Sequence, residues 1–200
     1  ITILVASLIA LTQDNLKRRL AYSTIGQLSY MILGAGMLSA AGMTGGLLHI
    51  AMHAFGKITL FFCAGAIFVA TGKKYISQMD GLGKRMPLTY LAFFFGSLSI
   101  IGMPPFGGFI SKWSLATGAI ESGQLILLLV LLVSSMLNAL YFFPIVYRGF
   151  FMPAAEGEPE GVKEAPIFCL VPLSITAICS LGLFFWPSIF LQLAKMAVSP

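Results

Sequence analysis

The chain has 200 residues, 58% of them hydrophobic and 10% charged, with a net charge of +5. A typical soluble domain carries about 25% charged residues, so a water-soluble enzyme or nucleic-acid-binding domain is excluded and the chain falls in the membrane class. The basic excess lies in short loops between apolar runs, where it orients a membrane protein.

The first apolar run ends at Leu11, short of the roughly 20 residues a spanning helix needs. It lacks the basic start and small-residue cleavage site of a signal peptide. It reads as the end of a cut-off helix, and the chain as the C-terminal part of something longer. A basic loop carrying Lys17, Arg18 and Arg19 follows, then a second run from Leu20 to about Ala41 and a third from about Gly45 to Ala70. The loop from Thr71 to Met86 is basic again. The fourth run extends from Pro87 to about Ile120. A continuous helix of that length would reach roughly 50 Å, well beyond a hydrocarbon core of about 30 Å. A break at Pro104, Pro105, Phe106, Gly107 and Gly108 explains the excess, because proline removes donors and glycine supplies freedom. A fifth run covers Gln124 to Tyr147. An acidic loop, Met152 to Pro166 and including Glu158, leads to a sixth from about Ile167 to Ala194. The expected fold is all-α, a polytopic transmembrane helix bundle with one broken helix.

Helices that alternate in direction put the loops after the first, third and fifth runs on one side. Those loops hold Lys17 to Arg19, the cluster from Lys73 to Arg85, and Arg148, whereas the opposite loops hold no Lys or Arg. The positive-inside rule assigns the basic side to the cytoplasm and the chain to the inner membrane.

Lysines deep in apolar runs are the strongest functional signal, since a charge at the bilayer centre costs about 2.5–3.5 kcal/mol even on insertion scales. His49, His53 and Lys57 recur every four residues, which places them on one face of the third helix with a rise of roughly 6 Å per step. Titratable groups at that interval suit a proton relay, and histidine titrates near physiological pH. Lys112 follows the proline break and lies about 13 Å from the outer end at Glu121, near the midplane. Irregular backbone at that depth is tolerated where it is buried in protein or lines a watery cavity, and broken helices form ion sites in transporters. Each residue also has a plainer reading. The histidines can bond across helices, Lys57 can snorkel, and Lys112 can point to the headgroups. Ser134, Ser135, Asn138 and Tyr141 on the fifth run are candidates for a polar seam facing Lys112, with Gln27 and Ser29 on the second, though such residues also serve as interhelical glue. The Phe93–Phe95 run and both tryptophans read as lipid-facing or interfacial.

Cys63, Cys169 and Cys179 show no CxxC pairing and read as small buried hydrophobes. Gly56-Lys57 is followed by Ile58, and Ala51 stands where the leading glycine of a P-loop belongs. No redox, nucleotide, metal or cofactor site is visible.

Three segments together resemble the antiporter-like membrane subunits shared by respiratory complex I, the Mrp cation/proton antiporters and membrane-bound hydrogenases. They are Asp14-Asn-Leu-Lys17-Arg-Arg-Leu-Ala-Tyr-Ser-Thr24 with Gln27-Leu-Ser-Tyr30, then His49-x3-His53-Ala-Phe-x-Lys57, then Gly102-Met-Pro-Pro-Phe-x-Gly-Phe-Ile-Ser-Lys112. Lys84-Arg-Met-Pro-Leu-Thr and Ile110-Ser-Lys-Trp113 look closest to D-type Mrp antiporter sequences. The resemblance implies an inverted-repeat fold. Residues 1–151 would hold most of the second repeat and the following helix, 152–166 a cytoplasmic loop, and 167–200 the last transmembrane helix. Lys112 matches the family's lysine or glutamate on its broken helix, and His49, His53 and Lys57 match its histidine/lysine cluster. The implied partners are protons, Na+ or K+, lipid and other membrane subunits. The leading expectation is cation:proton antiport of the D-type Mrp kind. The alternatives are a proton-pumping subunit of an NADH:quinone oxidoreductase or hydrogenase complex, and a structural scaffold.

Overall fold

The computed structural model describes residues 1–154 and 161–198. Among the described residues the chain is a bundle of nine α-helices, with one isolated backbone bridge, Asn15–Tyr75, between loops. The helices are α1 (Thr2–Thr12), α2 (Leu16–Gly36), α3 (Ala40–Thr71), α4 (Leu82–Arg85), α5 (Pro87–Ile101), α6 (Gly107–Glu121), α7 (Leu125–Phe151), α8 (Ile167–Phe185) and α9 (Ser188–Val198). Helices α3, α7 and α8 are each long and apolar enough to cross a membrane alone.

Local chemistry sets the helix ends. The Asn15 side chain caps α2 by accepting from the Arg18 N–H at 3.1 Å, and Ser39 caps α3 by accepting from Gly42 at 3.1 Å. Such caps occupy otherwise unpaired first-turn donors. Pro87 opens α5, where its missing N–H costs nothing. Glu164, from the loop before α8, accepts from the Leu88 N–H at 2.6 Å and the Thr89 hydroxyl at 2.7 Å, so a carboxylate sits on the positive end of α5.

The long fourth run is split across residues 102–106, a break that contains Pro104, Pro105 and Phe106 but not the two glycines that follow. Helix α5 ends at Ile101, Gly102 takes a left-handed φ of 86°, and α6 restarts at Gly107. Gly107 and Gly108 therefore belong to the second half-helix rather than to the break. Close packing explains their small size: a Cβ on Gly108 would collide with the Ser99 carbonyl oxygen. Gly108→Ala should cost about 1–3 kcal/mol through overpacking, read as a lower melting temperature of the full-length protein in detergent. Gly36→Ala, which meets open space, should leave it unchanged.

The sixth run also divides. Pro187 interrupts it after Trp186, and the chain continues as α9 rather than as one helix to Ala194. Helix α9 returns to pack on α3, where Ala194 joins Leu48 and Met52 in a small apolar cluster. Phe93 is buried against Phe142, with ring centroids 6.2 Å apart, and so belongs to the core and not to the lipid-facing surface.

The loops after α1, α3 and α7 meet at one end of the bundle. Leu16 N–H donates to the Lys74 carbonyl at 3.0 Å, Ile76 to Asp14 at 2.8 Å, and Gly81 to Arg148 at 3.1 Å. The Arg148 guanidinium pairs in bidentate fashion with Asp80 at 2.6 and 2.9 Å. The acidic stretch with Glu156, Glu158 and Glu160 lies outside the described residues. If this basic end faces the cytoplasm, cysteines introduced into 13–18, 73–85 and 152–163 should escape a membrane-impermeant maleimide in intact cells. Labelling of any one loop would contradict that orientation.

Candidate functional site

The middle of the bundle is polar, and four helices build it. From α3 come His49, His53 and Lys57, all buried. From α2 come Ser23, Gln27 and Tyr30, spaced i, i+4, i+7 and therefore on one face. Ser111 and Lys112 come from α6, and Ser134, Ser135, Asn138 and Tyr141 from α7.

Lys57 does not snorkel to an interface: it is 5% exposed. Its ammonium group donates to Ser23 Oγ at 2.8 Å and to the Leu20 carbonyl at 3.3 Å, and lies 5.6 Å from the Phe142 ring centroid. The Ser23 and Tyr141 hydroxyls are 2.8 Å apart, and Tyr141 also bonds Asn138 Oδ1. With Lys57 donating to Ser23 Oγ, the Ser23 proton can go to Tyr141 Oη, whose own proton goes to Asn138. Directed hydrogen bonds thus run from Lys57 to α7. Arg19 braces this end, donating to the carbonyls of Gln13 at 2.8 Å and Tyr141 at 3.0 Å.

Lys112 is held by the break itself. Ile101 would normally bond the N–H four residues on, but that residue is Pro105 and has none. The orphaned Ile101 carbonyl instead accepts from Lys112 Nζ at 3.0 Å. Ser135 Oγ accepts a second bond at 3.1 Å, and the Tyr30 ring lies beneath at 5.0 Å. Gly102 leaves room for the lysine stem, since a Cβ there would stand 2.6 Å from Lys112 Cδ. A cavity of about 720 Å³ between α6 and α7 reaches Lys112 and Ser135.

His49 lies between the two lysines along this array. Its Nδ1 is 2.8 Å from Ser111 Oγ and its Nε2 3.0 Å from Gln27 Oε1. Gln27 Oε1 can only accept, so Nε2 carries a proton; Ser111 donates to Nδ1 of the neutral ring, or to the Gly108 carbonyl at 3.1 Å when it accepts from the imidazolium. The His53 ring stacks on His49 at 5.9 Å, and its Nδ1 is buried without a hydrogen-bond partner. Tyr30 packs on His49 at 5.4 Å, and its buried hydroxyl faces Ser134, Ser135 and Asn138.

The structure brings together His49, His53, Lys57, Gln27, Lys112, Ser135, Asn138 and Tyr141. Ser134 does not meet Lys112; its hydroxyl lies 3.4 Å from Ser7 Oγ. Ser29 faces outward and bonds its own helix at the Ile25 carbonyl, 3.0 Å away. Ser23, Tyr30 and Ser111 are site residues that pattern reading passes over, although the shared face of Ser23, Gln27 and Tyr30 is a usable signal. Among the described residues no three His, Cys, Asp or Glu side chains converge as metal ligands, and neither Lys57 nor Lys112 meets a carboxylate.

Comparison with known proteins accords with this architecture. The family described as "NADH:quinone oxidoreductase/Mrp antiporter, TM" matches residues 1–138. The chain is 40% identical to NADH-quinone oxidoreductase subunit N of Desulforudis audaxviator over 91% of its own length and 39% of that protein. It is 37% identical to NADH-quinone oxidoreductase subunit L of Campylobacter jejuni, covering 96% of the chain and 32% of the relative. A chain in the structure of the Mrp complex from Dietzia sp. superposes with a TM-score of 0.88 at 26% identity, over 98% of this chain and 45% of that one. The chain spans less than half the length of each. Its matched segment, fold and polar interior make it part of a multi-pass, antiporter-like membrane subunit of complex I or Mrp type, and it belongs to the NADH:quinone oxidoreductase/Mrp antiporter transmembrane family.

Proposed function

We propose that the chain carries one section of a transmembrane proton path, with Lys57 and Lys112 as the groups that load and release the proton. The observation that carries this reading is that both lysines are held by neutral oxygens and by no carboxylate among the described residues. A buried lysine in an ion pair is locked, because losing its proton strands a buried charge. Lysines on Ser23, Leu20, Ser135 and Ile101 oxygens can lose a proton and leave no such charge. The two lysines interact electrostatically, so charge on both at once is disfavoured. Protons would pass between them through His53, His49 and Ser111, and in parallel through the Ser23 and Tyr141 hydroxyls, which Asn138 Oδ1 orients. One or two waters can bridge the steps that lack a direct bond.

The names of the 40% and 37% identical relatives support a redox-driven setting, in which partner subunits of a respiratory complex supply the energy. Exchange of protons for Na+ or K+ of the D-type Mrp kind is the second reading, favoured by the Dietzia fold match. The test uses everted vesicles containing the full-length protein in its complex. Redox-driven acidification without response to an imposed Na+ or K+ gradient is expected. Cation-driven proton exchange without an electron donor would replace the first reading by the second. Absence of proton movement in both assays would overturn the proposal.

A further inference from the structure

At the basic end, Lys17 from the first turn of α2 and Lys74 from the loop after α3 converge on one ring. Their ammonium groups lie 5.2 and 5.1 Å from the Phe68 centroid. Together with Lys73 and Asn15 they line a cavity of about 250 Å³ whose wall, among the described residues, includes no acidic side chain. The nearby described carboxylates are engaged elsewhere. Asp14 accepts from the Ser77 N–H at 3.0 Å and hydroxyl at 2.7 Å, bonds that hold its carboxyl below the usual range. Asp80 pairs with Arg148, and Glu164 caps α5. Lys17 and Lys74 therefore meet no carboxylate among the described residues. An aromatic face attracts each cation.

The surface below this pocket is apolar. Helix α3 turns Ile58, Phe61, Phe62, Phe68 and Val69 outward, all at least 37% exposed. Gly65 interrupts the stripe, and a Cβ there would meet open space, so a notch descends from the cations along the helix. Converging cations above an apolar notch at the end of a membrane span suit an anionic amphiphile, whereas a free anion would gain nothing from the stripe.

We propose that this is a binding site for an anionic phospholipid, its phosphate held between Lys17 and Lys74 and one acyl chain lying along α3 at Gly65. The site is separate from the proton path and does not depend on it. The test uses the full-length protein in its complex, washed in detergent and offered phosphatidylglycerol or phosphatidylcholine of matched chains, with bound lipid read by native mass spectrometry. Preferential retention of phosphatidylglycerol is expected, with Lys17→Gln/Lys74→Gln reducing it roughly tenfold or more. Lys84→Gln, at the same end but outside the pocket, should leave retention unchanged. Gly65→Leu should weaken retention with both lysines intact, a second arm that stands if the double variant fails to fold. Equal retention of the two lipids, or retention unaffected by both variants, would overturn the proposal. Displacement of the lipid by millimolar inorganic phosphate would reassign the pocket to a free anion and overturn it too.

Discussion

Replacing Lys112 by methionine in the full-length protein should abolish proton translocation while leaving insertion and assembly intact. The two consequences have separate physical causes. Methionine keeps most of the volume of the lysine stem beside Gly102, so the packing survives, and substituting an apolar group for a buried charge is often neutral or stabilising. The lost ammonium group leaves the Ile101 carbonyl and Ser135 without their donor, at a cost of about 1–3 kcal/mol. That should appear as a modest fall in melting temperature, not as loss of the protein. Translocation has no such reserve, because Lys112 is the titratable side chain that α6 places at the break. Lys112→Glu should retain part of the activity. A carboxyl can also load and release a proton, although it can bond the Ile101 carbonyl only in its protonated form.

Lys57→Met should reduce translocation by roughly tenfold or more, the scale of a lost positioned proton-transfer group. Two routes lead away from Lys57, so the residues beyond it should matter less individually than together. His53→Ala should lower the rate partially, since the Ser23 and Tyr141 hydroxyls offer the other path. Tyr141→Phe, which removes only the hydroxyl between Ser23 and Asn138, should do the same. The combination should cost more than the product of the two single effects, as parallel routes require. The readout is acidification of everted vesicles at matched assembly. If His49→Ala/His53→Ala inserted normally and translocated at the parental rate, the ladder would be structural only.

The lysines and histidines are legible in the sequence because a helix enforces its period. His49, His53 and Lys57 recur every four residues and can only share a face, and adjacent prolines before Lys112 mark a break in any helix. The two prolines also explain, once the structure is seen, why the Ile101 carbonyl is available to that lysine. Their partners are harder to read. Ser23, Tyr30 and Ser111 are neutral residues of a kind common between membrane helices, and only packing decides which neighbour each one meets. The adjacent pair Ser134 and Ser135 shows the limit. They differ by one position, about 100° around α7, and only Ser135 bonds Lys112. The split at Pro187 escapes the pattern because the apolar run continues past it. Glu164 gives no sign of capping α5, because it lies far from Pro87 in sequence and its role arises only when the basic-end loops meet.

Proton cycling at the broken helix is tested most directly by Lys112→Arg. Arginine keeps a positive charge and hydrogen-bond donors for Ile101 and Ser135 but does not give up its proton in a protein. A merely electrostatic role for Lys112 would therefore survive this substitution, whereas a proton-carrying role would not. The measurement is the rate of pH-gradient formation in everted vesicles containing the full-length protein, with assembly and abundance matched to the parent. Assembled complex with no detectable proton translocation is the expected result. Translocation at the parental rate would contradict proton cycling at Lys112 and leave it a fixed charge.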